Sequence, residues 1–391
     1  MTAGPSVVTV EADHAPTLSI CVVLYGGGHL ALEALGAVVE RTTVPYEVIV
    51  VDNCSPDGSG SLVRARTRGV RFVANRVNVG FGGAMNQAAE AARGRYLCLL
   101  NLDAIVTDGW DEPLIARLRD RADVGAVSPL LLEPDGHTVQ EAGSFVDRTG
   151  YTFPIGTASA GPLGPDALFA RVCDYASAAC LVLDRGAFEQ SGGFDLRYRP
   201  AYFEDPDLAF TLAEHGWQTW FEPASRVCHV RGGTDANGRA LTLVAANHPR
   251  FVEKWGVELA RRPAFDPESS DDGLTLRDWR AARRVLLVDD GACEPPGVVA
   301  VARKWLTSSS RPMVTVVSTS PRPPDAGGVE WLTVADGDAR TRLAEDRSAH
   351  YDAVVNVDLS TEPFDEAALP VGGTPLSPSG NDDRYRWPGS P

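Results

Sequence analysis

Three aspartates in order along the chain have the chemistry to bind and activate a charged substrate. Asp52 ends the run VIVVD, Asp103 ends LLNLD, and Asp205 lies in the acidic segment FEDPD. The first two follow nearly all-apolar runs, which are typical of strands buried on both faces. Carboxylates at the carboxyl ends of parallel strands lie where open α/β sheets bind their ligands. With His229 in the later run RVCHV, they indicate a site for a nucleotide-linked substrate, a metal ion and a general base.

The triplet Asn101, Leu102 and Asp103 is the main metal-binding candidate. Residues two apart at the end of an extended segment can face one ion, and carboxylate and amide oxygens suit Mg²⁺ or Mn²⁺. Such an ion would neutralise charge that grows on a diphosphate leaving group. The structural alternative is an Asx turn. His229 as a neutral imidazole is the candidate third ligand, although a lone histidine in a strand is more often structural.

The acidic segment supplies the candidate base. Glu204, Asp205 and Asp207 lie where the sequence predicts a helix from Pro206, and a carboxylate at a helix start stays ionised, as a base must. Asp205 followed by Pro206 also fits a helix N-cap, which is a structural role. We predict that Asp205 is the base and that Glu204 is its catalytic neighbour.

Two strand-to-helix junctions are candidates for nucleotide binding. Asp52 and Asn53 can accept a hydrogen bond from a pyrimidine and bond a ribose, or Asp52 can cap the next helix. In NVGFGGAMN, glycines let the backbone approach a ligand, and the following helix start favours anions. The candidate residues there are Asn78, Gly80, Gly83 and Asn86.

The segment GGGHLA, which begins at Gly26, supports a competing interpretation. It fits a loose dinucleotide-binding fingerprint, with Asp52 about where a ribose-binding acid would lie. That interpretation predicts an oxidoreductase that uses NAD or FAD. Three glycines that only form a tight turn are the structural alternative. The later acidic segments favour the first interpretation, because a dinucleotide fold needs neither of them.

Short strands alternate with helical stretches from Thr17 onward, which predicts βαβ units and a parallel sheet. Residues 134–172 are rich in Gly, Pro, Ser and Thr and are predicted to be irregular, and WQTWFEP and RVCHV are predicted as two short strands. The predicted organisation is a flexible tail (1–16), a first α/β domain (17–262), a linker (263–282), a smaller Rossmann-like α/β accessory domain (283–375) and a disordered tail (376–391).

The bulk composition excludes several classes of function. The formal charge of −16, from 36 basic and 52 acidic residues, argues against nucleic acid as a partner and against electrostatic attachment to lipid. We expect no signal peptide and no transmembrane segment. The seven cysteines lie mostly in apolar runs and fit no zinc or disulfide framework, which predicts a reducing, cytoplasmic location.

Taken together, these segments resemble the family 2 glycosyltransferases of the GT-A fold. The matching motifs are VVDNCSPDGS, NVGFGGAMN, LLNLDA, AYFEDPDLAFTLAEHGW and the histidine before RGGT, followed by Asn247 and RFVEKW. The likeness covers about residues 17–260 and is nearest to rhamnosyltransferase-like members that build bacterial surface polysaccharides. It departs from the family at Gly26, where members usually carry Asn, and at Asn101, where an aspartate usually opens the triplet.

The resemblance implies inverting transfer from a UDP- or dTDP-sugar, dTDP-rhamnose included, to a hydroxyl of a glycan, lipid-linked or small-molecule acceptor. Asp103 and His229 would hold Mn²⁺ or Mg²⁺, and Asp205 would deprotonate the acceptor. The implied nucleotide-binding set is Val23, Tyr25, Asp52, Asn53, Asn78, Gly80, Gly83, Asn86, Asn101 and Leu102. A third alternative is a non-catalytic glycosyltransferase-like partner module. A location peripheral to the inner membrane through the acceptor is compatible with the resemblance, and a homodimer is left open.

Overall fold

The computed structural model describes residues 7–156, 163–230, 239–265, 277–279, 281, 284–289, 291, 294–306, 313–347, 351 and 353–357. The chain divides into two compact units. Unit 1 takes the chain up to residue 264 apart from residues 168–170, which cluster with unit 2 and the chain from residue 265 onward.

Unit 1 begins with strands and helices in alternation, as the sequence pattern predicts. Its first elements are β1 (Val8–Thr9), β2 (Leu18–Leu24), α1 (Gly28–Arg41), β3 (Tyr46–Asp52), α2 (Ser59–Arg66), β4 (Thr67–Arg68), β5 (Arg71–Ala74), α3 (Phe81–Ala91) and β6 (Tyr96–Asn101). The elements that follow are β7 (Ala104–Val106), α4 (Asp111–Asp120), β8 (Val124–Leu132), β9 (Val139–Glu141), β10 (Ser144–Val146), β11 (Thr152–Pro154), β12 (Arg171–Cys173), β13 (Cys180–Asp184), α5 (Arg185–Gln190), α6 (Glu204–Glu214), β14 (Gln218–His229) and α7 (Arg239–Leu259).

The central sheet has the strand order β12-β14-β8-β13-β6-β2-β3-β5, while β7 pairs with β14 and β9 pairs with β8. Strands β2, β3, β5 and β6 are parallel, whereas β13 is antiparallel to both β6 and β8. All seven residues of β2 are buried, which explains why its sequence is apolar apart from Ser19. Because β2 is parallel to both β3 and β6, it places Asp52 and Asn101 at the same edge of the sheet.

A separate aromatic cluster packs beneath the acidic segment. Its buried members are Val146, Tyr198, Phe203, Phe210, Phe251, Trp255 and Leu259, which come largely from α6 and α7. Truncating one such buried aromatic ring typically costs about 3–5 kcal/mol of unfolding free energy. Helix α7 therefore anchors the start of α6.

Several local predictions were wrong. Residues of the predicted flexible tail form β1, which pairs with β4, and Val10 is buried. The run WDEPLIARLRD predicts a helix that starts near Asp108 with the Asp108 side chain as its cap. The helix instead begins at Asp111 after Trp110, with no side-chain cap, and Asp108 pairs with Arg41. Backbone pairing with β4 orders the chain at β1, and the buried Trp110 precedes the first residue of α4.

The second half of unit 1 is more regular than its composition predicts. The segment 134–172, apart from 157–162, which lie outside the described residues, contributes β9 to β12 and buries Phe145. The two short strands predicted near residues 217–230 form the single strand β14, whose register against β8 shifts between Glu222 and Arg226. Helix α6 begins at Glu204 after Phe203, so Asp205 is not its N-cap.

Unit 2 contains β15 (Arg284–Asp289), α8 (Pro295–Leu306), β16 (Met313–Ser318), β17 (Glu330–Thr333), α9 (Gly337–Arg347) and β18 (Ala353–Val357). Its strands are all parallel in the order β17-β16-β15-β18, which confirms a small α/β sheet. Much of the predicted linker and all of the predicted tail lie outside the described residues, so those boundaries stay predictions. In the part of the chain that the structure describes, no helix has the length and apolarity of a membrane span.

Candidate active site

The site centres on Asp103 and His229, which antiparallel pairing of β7 with β14 brings together. Ala104 lies opposite His229 in that pairing, and the Val230 N–H donates to the Asp103 carbonyl at 3.0 Å. Asp103 Oδ1 and His229 Nε2 are consequently 3.3 Å apart, and both side chains are largely buried. Asn101 joins them, since its Nδ2 lies 3.4 Å from His229 Nε2.

These donors fit a divalent cation. A carboxylate oxygen and a neutral imidazole nitrogen are both accepted by Mn²⁺, and Mg²⁺ commonly binds through one or two carboxylates plus substrate phosphates. Within the described ranges, no group of three His, Cys, Asp or Glu side chains is placed to hold a metal. The pair would therefore leave most coordination positions to a diphosphate and water.

Asp205 lies in the first turn of α6, after two residues in an unfavourable backbone conformation. Tyr202 and Phe203 both have φ of 74°, in the left-handed region that bulky residues rarely adopt. Asp205 Oδ2 accepts from the Ala178 N–H at 3.2 Å, and the neighbouring Ala179 carbonyl accepts from the Asn101 N–H at 3.0 Å. The candidate base is thus connected to the metal triplet through two consecutive residues.

Burial changes the protonation of this acidic group. Asp205 Oδ1 and Glu204 Oε2 are buried and have no hydrogen-bond partner among the described residues. Desolvation by burial and, to a smaller degree, the negative charge of Glu141 raise the pKa of Asp205 to about 7, although the hydrogen bond from the Ala178 N–H lowers it. Burial and the charge of Asp205 raise the pKa of Glu204 well above its usual range. Glu141 accepts from the Ser177 N–H at 3.0 Å, one residue before the amide that holds Asp205.

Helix α7 holds the strained turn. The Asn247 amide nitrogen donates to the carbonyls of Tyr198, Ala201 and Tyr202 at 2.8, 2.9 and 3.0 Å. In the next turns of α7, two further residues bind Asp207, the third acidic residue of the segment. Lys254 Nζ lies 2.8 Å from Asp207 Oδ2, and Trp255 Nε1 lies 2.7 Å from Oδ1. Asp207 is therefore a structural carboxylate.

Asp52 lies at the end of β3, as predicted. Its Oδ1 accepts from the Ser55 N–H at 3.0 Å. Its Oδ2 lies so close to Gly60 that a Cβ on that glycine would be 1.8 Å away. Val23 and Tyr25 lie beside it at the end of β2, Val23 in the sheet and Tyr25 with 47% of its surface exposed. Their predicted contacts with a nucleotide stay predictions.

The other predicted nucleotide ligands are engaged in internal hydrogen bonds. Asn53 is buried, and its Nδ2 donates to Asn78 Oδ1 at 3.0 Å and to the Gly80 carbonyl at 3.2 Å. Its Oδ1 accepts from the Val79 N–H at 2.9 Å and from Asn75. Asn53 therefore shapes the loop that precedes α3.

The glycines at the start of α3 allow close packing within the protein. Asn86 exchanges two hydrogen bonds of 2.9 Å with the backbone of Phe194. A Cβ on Gly80 would lie 3.0 Å from the Pro200 carbonyl, and one on Gly83 would lie 3.4 Å from the Arg199 guanidinium. The Phe81 N–H donates to Pro200, so that carbonyl occupies the helix start at which an anion was expected.

The glycine turn of the competing interpretation is also filled by the chain itself. Its three N–H groups donate to Ser55 Oγ, Asp57 Oδ2 and Ser59 Oγ at 3.2, 3.3 and 2.8 Å. Hydrogen bonds from Ser59 lower the pKa of Asp57, which keeps a negative charge at this turn. A carboxylate and two hydroxyls thus occupy the donors that a dinucleotide pyrophosphate would need.

Gln140 and Glu141 were missed by the sequence analysis. Both belong to the three-residue strand β9, in the segment predicted to be irregular. Gln140 contacts His229, with its Oε1 2.6 Å from Nδ1 and its Nε2 3.1 Å from the His229 carbonyl. No local pattern identifies either residue, because their partners lie tens of residues further along the chain.

Comparison with known proteins identifies the unit that carries this site. Residues 19–152, which contain Asp52 and Asp103, match the profile described as "Glycosyl transferase family 2". This part of the chain belongs to glycosyl transferase family 2. The family match and the central mixed sheet confirm the prediction of a GT-A glycosyltransferase domain. The enzyme class predicted from the sequence is confirmed with it.

Relatives of the family 2 domain include two bacterial proteins. The N-acetylglucosaminyl-diphospho-decaprenol L-rhamnosyltransferase of Mycobacterium tuberculosis is 27% identical over 265 residues, 60% of this chain and 83% of the relative. The O-antigen biosynthesis protein RfbC of Myxococcus xanthus is 30% identical over 65% of this chain but only 20% of its own length. A crystal structure of GalNAc-T7 with UDP, GalNAc and Mn²⁺ has 18% identity and a TM-score of 0.49, over 63% of this chain and 49% of that one.

Proposed function

We propose that this family 2 glycosyltransferase is metal-dependent and transfers a sugar with inversion from a UDP- or dTDP-sugar to an acceptor hydroxyl. The observation that carries the proposal is the pair of Asp103 Oδ1 and His229 Nε2, 3.3 Å apart. The rhamnosyltransferase relative supports dTDP-rhamnose as the first donor to test and a lipid-linked glycan as the first acceptor. A homodimer and a cytoplasmic location at the inner membrane stay predictions.

In the proposed reaction, Asp205 removes the proton from the acceptor hydroxyl as that oxygen attacks the anomeric carbon. The bond from the anomeric carbon to the diphosphate oxygen breaks, so the nucleoside diphosphate leaves with the electron pair and the configuration inverts. A divalent cation held by Asp103 and His229 would supply positive charge to the leaving diphosphate.

The surroundings of Asp205 support its role as the base. Burial raises its pKa to about 7, where a carboxylate is ionised enough to act at neutral pH and basic enough to accept a proton. Glu204 has a pKa raised well above its usual range, so it stays protonated and leaves the negative charge on Asp205. We therefore assign proton removal to Asp205 alone.

Thermal unfolding against a ligand panel tests the donor and the metal together. The panel contains UDP- and dTDP-sugars, NAD and FAD, each with and without Mn²⁺. A ligand at 100 times its dissociation constant adds about 2.7 kcal/mol to the unfolding free energy. We expect stabilisation by one nucleotide sugar that Mn²⁺ strengthens and that Asp103→Ala weakens. Stabilisation by NAD or FAD alone, indifferent to metal, would favour the oxidoreductase.

Transfer assays with Asp205→Asn separate an enzyme from a non-catalytic partner module. We expect the variant to bind the nucleotide sugar with wild-type affinity and to lose at least 10³-fold in turnover, since a base and its position both contribute. A wild-type chain that binds the nucleotide sugar but transfers nothing to any acceptor would favour the partner module. Anomeric configuration of the product, read by NMR, tests inversion.

A further inference from the structure

Gln140 contacts His229 at two points. Its Nε2 donates to the His229 main-chain carbonyl at 3.1 Å, and its Oε1 lies 2.6 Å from the ring Nδ1. Gln140 is 4% exposed, and it belongs to β9, which pairs with β8. The glutamine is thus held by the sheet while it contacts both the backbone and the ring of one residue.

The two contacts together determine which ring nitrogen carries hydrogen. A main-chain carbonyl only accepts, so the Gln140 atom that faces it must be the amide nitrogen. The amide oxygen is then the atom beside Nδ1, and because an amide oxygen only accepts, Nδ1 must donate. In a neutral ring, Nε2 consequently carries the lone pair.

That lone pair faces a second acceptor. His229 Nε2 is 3.3 Å from Asp103 Oδ1, and the Asp103 side chain is 5% exposed. The Asn101 amide nitrogen, 3.4 Å from Nε2, is a donor on one side of the lone pair, but the lone pair and the Asp103 carboxylate oxygen repel each other at 3.3 Å unless a cation lies between them. The hydrogen bond to Gln140 therefore holds the ring in the one neutral form that presents both groups to a metal.

We propose that Gln140 is a positioning residue that fixes the Nδ1–H form of His229 and aims Nε2 at Asp103. This inference rests on the proposed function, because the cation expected between His229 Nε2 and Asp103 is the metal of that reaction. The competing explanation is that Gln140 only ties β9 to β14. That explanation predicts a loss of stability with no change in the ring.

The first test reads the ring directly, without metal or substrate. The full chain is labelled with ¹⁵N-histidine, and the signals of His229, one of seven histidines, are assigned by their loss in His229→Asn. Ring-nitrogen shifts at pH 8 distinguish the two neutral forms and the imidazolium. We expect the Nδ1–H form in the wild type and a mixture of forms in Gln140→Met.

Gln218→Met is the matched control. Gln218 is also a glutamine and lies at the other end of β14, where its Oε1 accepts from Trp220 Nε1 at 2.8 Å. We expect this variant to keep the wild-type ring signals. An Nε2–H ring or an imidazolium in the wild type, or wild-type signals in Gln140→Met, would overturn the proposal.

The second test measures Mn²⁺ binding by electron paramagnetic resonance of the free ion, with MnCl₂ alone and with UDP or dTDP. We expect Mn²⁺ to bind Gln140→Met about 10–100-fold more weakly than wild type, the usual effect of removing a partner that orients a metal ligand. Gln218→Met should bind as wild type does. Equal affinity in Gln140→Met and wild type would contradict the proposal. A wild-type chain that binds no Mn²⁺ would refute the metal-dependent function, while the ring signals still decide the role of Gln140.

Discussion

Asn247→Leu should disable the base without removing any group that touches substrate. Asn247 is 1% exposed. Its amide nitrogen donates to the main-chain carbonyls of Tyr198, Ala201 and Tyr202, which precede α6. Leucine has nearly the same shape but no donor. The substitution therefore removes these hydrogen bonds while it leaves the packing of α7 largely intact.

The expected magnitude follows from two opposing terms. Tyr202 and Phe203 both have φ of 74°, and a left-handed conformation costs a bulky residue about 1–2 kcal/mol, or about 2–4 kcal/mol for the pair. The two amide protons of Asn247 are shared among these three buried or partly buried carbonyls, and each lost hydrogen bond costs about 1–3 kcal/mol. Since the terms are similar, the turn should relax once Asn247 is replaced, and Asp205 should move with it.

We expect the variant to unfold only about 2–4 °C below wild type, because relief of the strain offsets most of the lost hydrogen bonding and leaves a net loss of about 1 kcal/mol in a domain of this size. Turnover should fall about 100-fold, because a displacement of 1 Å can cost that much, while the KM for the donor changes little. Circular dichroism and steady-state transfer kinetics measure the two effects, with the exposed Val257→Ala on the same helix as the control. A destabilised Asn247→Leu enzyme that keeps wild-type turnover would refute the account of the strained turn.

Three further outcomes follow from the site. Gly60→Ala should turn the Asp52 carboxylate away, because the new Cβ would lie 1.8 Å from it. Calorimetry should then show weaker binding of the nucleoside diphosphate. The control is Gly36→Ala, whose Cβ would have nothing within 4 Å; it should leave binding unchanged and stabilise α1 by up to about 1 kcal/mol. The pH profile of kcat/KM should rise tenfold per unit up to about pH 7, where Asp205 ionises, and Glu141→Gln should move this limb to lower pH by removing a negative charge. Asp205→Asn should unfold at a higher temperature than wild type at pH 8 but not at pH 4. Folding raises the pKa of Asp205 to about 7, so the wild-type protein loses unfolding free energy as pH rises through that value and the carboxyl ionises, whereas the asparagine variant does not. An unshifted limb in Glu141→Gln, or a less stable Asp205→Asn at pH 8, would contradict the described burial.

The parts of the site that depend on local pattern could be predicted from the sequence. Apolar runs that end in Asp52 and Asn101 identify buried parallel strands and their carboxyl ends, because burial on both faces leaves a continuous apolar run. The placement of Asp103 beside His229 could be proposed from residue chemistry and the family resemblance but not from local pattern, since they lie 126 positions apart.

The parts that depend on tertiary contacts could not be predicted. Tyr202 and Phe203 are poor candidates for left-handed backbone, and the hydrogen bond to the Tyr202 carbonyl comes from Asn247, far along the chain. Gln140 and Glu141 lie in a strand of three residues, too short for alternation to be visible. A glycine at position 80 indicates that another group lies close to the backbone there. In the structure that group is the Pro200 carbonyl of the same chain.

The contact of Lys254 with Asp207 gives this chain a spectroscopic reporter. Lys254 and Lys304 are the only lysines in the sequence, and they lie in α7 and α8, one in each unit. Reductive methylation with ¹³C-formaldehyde would therefore yield two resolved dimethyl-lysine signals without any mutation. Because the Lys254 ammonium lies 2.8 Å from the carboxylate two residues after Asp205, its signal should respond when donor or acceptor reorganises the start of α6. The Lys304 signal would serve as an internal standard in the same spectrum.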